Sequence, residues 1–180
     1  MKWNKKFVYP KSIRSTENGI RRYLIGEKKL PSVTSILDAT KSEEDKAALA
    51  NWRERTGLKE SETIVKAASS RGTKMHAYLE SFILGRENLS FFDDNEQYKI
   101  MAKQIIEKGL INRFEEVWGV ECTLYKPDSY SGTCDAVGIY DGCQSIIDFK
   151  QSNKPKKFEY IDSWLLQTAA YSLAHNTVYK

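Results

Sequence analysis

Gly132-Thr133-Cys134-Asp135-Ala136-Val137-Gly138 and Ser145-Ile146-Ile147-Asp148-Phe149-Lys150 decide how this chain reads. Both segments alternate or run apolar as short strands do, and Asp141-Gly142 between them is a two-residue hairpin turn. In a strand, residues two apart share a face, so Asp148 and Lys150 point together while Phe149 points away. The turn brings Asp135 toward the same strand end. Two carboxylates and an ammonium converging there suit a divalent metal ion and a phosphate. The ordinary alternative is a charge pair on a solvated strand face. The apolar run before Asp148 argues for a central strand buried on both faces, where a charged pair needs partners or a task.

Working outward, residues 117–125, 132–140 and 143–149 read as a meander, with Pro127-Asp128-Ser129 as its first turn. A last helix spans about 161–175. Upstream, the first thirty residues read as extended, with a hairpin turning at Gly26-Glu27. Ser32 caps a short helix through Val33, Ile36 and Leu37, and Ser42-Glu43-Glu44-Asp45 opens a helix ending near Gly57. A helical region over about 62–84, with a break around Ser70-Arg71-Gly72, ends at Gly85. Asp93 or Asp94 caps a further long helix carrying Tyr98, Met101, Ile105, Leu110 and Phe114. The expected fold is α/β or α+β: a mixed central sheet flanked by helices, with an N-terminal helical cover. One domain over 1–180 is expected, with a hairpin and helical region (1–115) and a sheet with the last helix (116–180).

The composition, 41% hydrophobic and 29% charged over 180 residues, is that of an ordinary globular chain. No apolar run nears the ~20 residues of a membrane span, and the lysine-rich start lacks a secretory h-region. Three cysteines, Cys122, Cys134 and Cys143, are an odd number without CxxC spacing. They point to reduced thiols, and are too few for the four ligands of an iron–sulfur cluster. Net charge is +4, with Lys154, Lys156 and Lys157 crowded just beyond the Asp148–Lys150 pair. Beside a metal site, such a loop would guide a nucleic-acid backbone.

His76 carries Glu80 one helical turn on. The pair is either a metal ligand with an orienting carboxylate or a surface contact. Gln167 and Tyr171, also four apart, either face a substrate strand or lie on a solvent face. His175 reads as a capping or surface residue, and Trp52, Trp118 and Trp164 as core or rim.

Taken in order, Gly72-x-x-x-His76-x-x-x-Glu80, Gly132-Thr133-x-Asp135, Asp148-x-Lys150 and Gln167-x-x-x-Tyr171 resemble the PD-(D/E)XK nuclease superfamily in its RecB-like branch. Leu30-Pro31-Ser32-Val33-Thr34-Ser35-Ile36-Leu37, Asn51-Trp52 and the run from Asp148 to Lys156 resemble more narrowly the mitochondrial genome-maintenance exonucleases and their bacteriophage relatives. The resemblance covers about residue 22 onward. Gln151 stands where the mitochondrial type carries threonine, which looks more like the phage members. Those relatives add a strand after the last helix; without it, the neighbouring strand would be an open edge.

The resemblance implies that Asp135, Asp148, His76 and the Phe149 carbonyl bind Mg²⁺ or Mn²⁺, with Mn²⁺ at least as effective because of the nitrogen ligand. It implies that Lys150 serves the attacking water and the phosphate, that Glu80 orients, and that Gln167 and Tyr171 hold the strand together with Lys154 and Lys156. Lys66, Arg71 and Lys74 are further phosphate candidates on the helical cover formed between residues 43 and 114. The implied activity is exonucleolytic hydrolysis of DNA, of single-stranded ends, in a bacterial or phage-infected cytoplasm, with no membrane partner. The rival readings are a non-catalytic nucleic-acid-binding module on the same fold, an endonuclease, and an enzyme for a smaller phosphoester.

Overall fold

The computed structural model describes residues 1–86 and 96–179. Among them are five α-helices, a four-stranded mixed sheet and a separate three-stranded antiparallel sheet. The smaller sheet comprises β2 (Ile13–Glu17), β3 (Ile20–Ile25) and β4 (Lys28–Pro31). Gly26-Glu27 is its second turn as expected, and Asn18-Gly19, both with positive φ, is the first. Ser32 then caps α1 (Val33–Ala39), its hydroxyl accepting from the Ser35 amide at 3.0 Å. Ser42 caps α2 (Glu43–Thr56) in the same way, and Gly57 ends it at φ 86°.

The third helix, α3 (Leu58–Ile83), departs from the expected pattern by starting earlier and running unbroken through Ser70-Arg71-Gly72. Gly72 holds its place in the helix because it lies against Gln151: an added Cβ would meet the amide nitrogen at 3.2 Å. The expected Asp93 or Asp94 cap lies outside the described residues. α4 (Gln97–Ile105) passes into a π-helical turn over Ile106–Leu110. Phe114, expected on that helix, instead opens β5, because the turn ends at Ile111 and the chain becomes extended.

The larger sheet has the order β1-β5-β6-β7, with β1 (Lys2–Trp3) parallel to β5 (Phe114–Lys126). β6 (Tyr130–Tyr140) pairs antiparallel with both β5 and β7 (Cys143–Ile147). Asp141-Gly142 forms the expected hairpin turn, with both φ values positive. The strand expected over 143–149 stops at Ile147 and lies at the sheet edge, half-exposed rather than buried on both faces. The sheet separates two cores. One joins Met75, Leu79 and Ile83 of α3 to Ala102, Ile106, Leu110, Phe114, Val117 and Phe149. The other joins Val33 to Trp118, Cys122, Leu124, Cys134 and Val137, with Tyr171 and Ala174 of α5 (Asp162–Val178). No described helix is long and apolar enough to cross a membrane.

The N-terminal segment is anchored to the second core. Phe7 packs edge-on to Trp118 and His175, with ring centroids 5.4 and 5.0 Å away. Tyr9 shares a hydrogen bond with His175 Nε2 at 3.2 Å, and the Tyr179 hydroxyl donates to the Val8 carbonyl at 3.0 Å. His175, expected at the surface, is therefore buried among aromatic rings.

Candidate metal centre

Register places the acidic residues. Ala136 pairs with Ile147, so Asp135 and Asp148 are next to one another across the hairpin where β7 ends. Past Ile147 the chain stays extended. Phe149 buries its ring in the α3 core, and its amide donates to Asp135 Oδ2. Lys150 turns back to donate to Asp148 Oδ2. The shared face of Asp148 and Lys150 is therefore real, though it lies just beyond the paired strand.

α3 brings His76 onto this edge. Met75 and Leu79 on either side of it are fully buried against the sheet, which fixes the helix rotation and aims the imidazole at Asp135. His76 Nδ1 donates to Asp135 Oδ1 at 2.6 Å. That hydrogen bond is the main reason the imidazole pKa is raised, outweighing the opposing effect of burial. Glu80 lines the same cleft one turn along.

Asp148 is held from the other side of the sheet. Gln167 Nε2 donates to Asp148 Oδ1 at 3.3 Å and to the Tyr171 hydroxyl at 2.9 Å. Gln167 and Tyr171 are both buried and turned inward, toward the carboxylate. Gly132 makes room for this arrangement, since a Cβ there would meet the Tyr171 ring at 2.5 Å. Burial raises the Asp148 pKa and Lys150 opposes the rise.

A carboxylate not singled out in the sequence completes the group. Glu121, in the middle of β5, has φ 49°, a left-handed conformation that is costly for a residue with a Cβ. The strand changes phase there: Val120 packs toward the α3 core, whereas Cys122, two residues on, enters the core under α5. Ala136 and Cys134 make the same switch on β6. Ligand atoms of His76, Glu121 and Asp135 lie within 4.8 Å of one another. Desolvation in the cleft, with the charges of Asp135 and Glu80, pushes the Glu121 carboxyl up to about 7. Asp148 lines the same cleft, but its two oxygens already accept from Lys150 and Gln167.

The cleft, about 1110 Å³, is walled by α3 on one side and by residues 9–14 and 21–23 on the other. Among the described helices of the expected cover, α3 alone lines it; α2 buries no residue and packs on α3. Arg71 of α3 is engaged in a clasp, donating to Gln151 Oε1 at 2.6 Å, Gln97 Oε1 at 3.1 Å and Asn153 Oδ1 at 2.7 Å. Gln151 in turn donates to the Ala68 carbonyl at 2.5 Å. The clasp ties the segment after Lys150 to the helix that carries His76. Lys74 lies 3.8 Å from Glu96 and above the Tyr98 ring. Lys154 and Lys156 sit on an exposed loop outside the cleft, and Lys66 is exposed on α3.

No family model matches the chain. It is 30% identical over 163 residues to mitochondrial genome maintenance exonuclease 1 of Homo sapiens, covering 83% of this chain and 45% of that protein. The protein of the same name from Mus musculus is 30% identical over 132 residues, covering 71% of this chain and 38% of that protein. The chain thus spans less than half the length of either relative.

Proposed function

The chain is a distant homologue of mitochondrial genome maintenance exonuclease 1, a PD-(D/E)XK nuclease, and from that premise we propose that it is a metal-dependent exonuclease hydrolysing phosphodiester bonds at the ends of single-stranded DNA. The observation that carries the reading is the delivery of His76 from α3 onto Asp135, beside the Asp148–Lys150 pair. A non-catalytic binding module has no use for carboxylates facing a phosphate backbone.

The donor set fits a divalent cation. One imidazole and clustered carboxylates suit Mn²⁺ as well as Mg²⁺, the nitrogen favouring Mn²⁺. His76, Asp135 and Asp148 with the Phe149 carbonyl would hold it, and Glu121 joins them as a further ligand. When bound, the ion polarises the phosphate and lowers the pKa of the attacking water.

The residues of the chain do the rest. The Phe149 amide fixes Asp135, and the buried Gln167 fixes Asp148, with Tyr171 holding Gln167 in turn. Both carboxylates therefore present a set geometry without reorganising. Lys150 offsets charge that builds on the phosphate oxygens and positions the water. Gln167 and Tyr171 act on the strand through Asp148, while Lys154 and Lys156 meet DNA outside the cleft. Glu80 orients from one turn along α3. On this reading residues 1–180 form one nuclease domain with a PD-(D/E)XK core. The free thiols Cys122, Cys134 and Cys143 suit a reducing cytoplasm, bacterial or phage-infected.

Digestion of 5′- and 3′-labelled single-stranded oligonucleotides tests the proposal. Stepwise shortening from one end with Mn²⁺, and none with EDTA, is expected. Equal cleavage in EDTA, or none with any divalent ion, would refute it, and cutting of closed circles would make the enzyme an endonuclease.

A further inference from the structure

The wall of the cleft opposite α3 carries three cations with no task in the metal centre. Lys11, Arg14 and Arg21 are exposed and all line the cleft that holds His76, Asp135 and Asp148. We propose that these three residues form a phosphate track that lays a single DNA strand across the small sheet and into the metal centre; this rests on the nuclease reading of the cleft.

Sheet register puts the arginines on one face. Arg14 pairs with Tyr23, and Arg21 lies two residues from Tyr23 on β3, so Arg14 and Arg21 are diagonal neighbours on the same side. Such neighbours are about 7–8 Å apart, comparable to the spacing of adjacent phosphates along an extended strand. Tyr23 lies buried between them and stiffens the wall.

The simpler explanation is that these cations balance the acidic cluster. Geometry argues against it: none of the three lies within ion-pair distance of a carboxylate among the described residues. The cluster has its own partners, His76 beside Asp135 and the Lys150 ammonium beside Asp148. On the cleft face of the small sheet the remaining cation, Lys28, is paired with Asp128 at 2.6 Å; Arg22 and Lys29 lie on the opposite face, Lys29 paired with Glu17. Unpaired cations are thus confined, on this sheet's cleft face, to the part that faces the metal centre.

The track is also anchored. Ser12 Oγ shares a 2.8 Å hydrogen bond with Thr123 Oγ1, two residues from Glu121, and Tyr9 is tied to His175. Lys11 lies between these two fixed points, and Arg14 follows just after. A segment held at both ends presents its charges at a fixed distance from Glu121, which limits the ordering cost of binding.

Binding of an oligodeoxythymidylate in EDTA, followed by fluorescence anisotropy across a salt series, tests the track without cleavage. Each single-strand phosphate contact contributes about 0.7 to the slope of log K against log salt. The triple variant Lys11→Gln/Arg14→Gln/Arg21→Gln should lower that slope by about 2. Arg14→Gln and Arg21→Gln alone should each lower it by about 0.7, which keeps the test valid if the triple variant melts early. Arg14→Lys should keep the wild-type slope, and so should the control Lys28→Gln/Lys29→Gln, which removes two cations from the same sheet away from the metal centre. An unchanged slope in the triple variant, or an equal drop in the control, overturns the track. Wild-type cleavage of the same oligonucleotide with Mn²⁺ is scored separately. If cleavage is absent the nuclease reading fails, while the salt slopes still decide whether phosphates lie on this wall.

Discussion

The chain has two histidines, and they occupy opposite kinds of site. His76 meets a carboxylate in an open, acid-lined cleft, and that partner raises its pKa. His175 is enclosed by Phe7, Tyr9 and Tyr179, and burial lowers its pKa. The first region collects charges that exceed what the fold needs. The second closes the N-terminal segment onto α5 with rings and one shared hydrogen bond. Activity and stability should therefore separate by region.

The largest expected effect is on the cleft side. Lys150→Ala should reduce cleavage by at least about 10²–10³-fold, the scale seen when one electrostatic stabiliser is lost, with the melting temperature little changed. Single-turnover digestion and thermal melting of the same preparation check both halves. An active Lys150→Ala would remove the chemistry from this region.

Next comes the aromatic side. Phe7→Ala should destabilise the protein by about 2 kcal/mol, below the cost of truncating a fully enclosed ring because Phe7 is partly exposed. Urea denaturation measures it, and activity per folded molecule should hold. A loss of activity larger than the loss of folded protein would show that the two regions are coupled.

Acidity provides a test of opposite signs in metal-free protein. His76 has a folded pKa above its unfolded value near 6.5, so its contribution is fully present below that pH. It is lost as pH rises through the raised folded value. His175 has a depressed folded pKa, so its contribution is present above about 6.5 and is lost as pH falls through the lower folded value. Melting profiles of His76→Ala should lack the first slope and those of His175→Ala the second. Matching profiles for the two variants would erase the contrast.

The smallest expected effect concerns Glu121. Glu121→Gly should preserve the fold, because glycine accepts the φ of 49° that this position demands. It should raise the Mn²⁺ concentration needed for half-maximal cleavage by about tenfold. No change would exclude Glu121 from the ligand set.

Much of the cleft region was legible because its residues are local or periodic. Asp148 and Lys150 share a face by strand alternation, His76 and Glu80 lie one turn apart, and Asp141-Gly142 marks the hairpin that aligns Asp135 with Asp148. Glu121 was not legible: its side chain reaches the group through a backbone conformation that alternation does not foresee. The end of β7 at Ile147 was missed for a related reason, since Ser145–Phe149 is as apolar as a central strand yet lies at an edge. The aromatic region was nearly invisible, because contacts such as Phe7 with His175 and Tyr9 with Tyr179 join the two ends of the chain. Phe114 followed the helical spacing before it and was claimed by the strand after it. The charge of Arg71 suggests a phosphate contact, whereas its guanidinium is engaged by Gln151 and Asn153 of one distant loop and by Gln97 at the start of α4.

The central claim is that α3 and the sheet edge together hold one divalent ion. Calorimetric titration with Mn²⁺ of the wild type, His76→Ala and His175→Ala tests it most directly. The account predicts saturable binding in the wild type, weakened at least about tenfold by His76→Ala and unaffected by His175→Ala. Equal affinity in wild type and His76→Ala would contradict it.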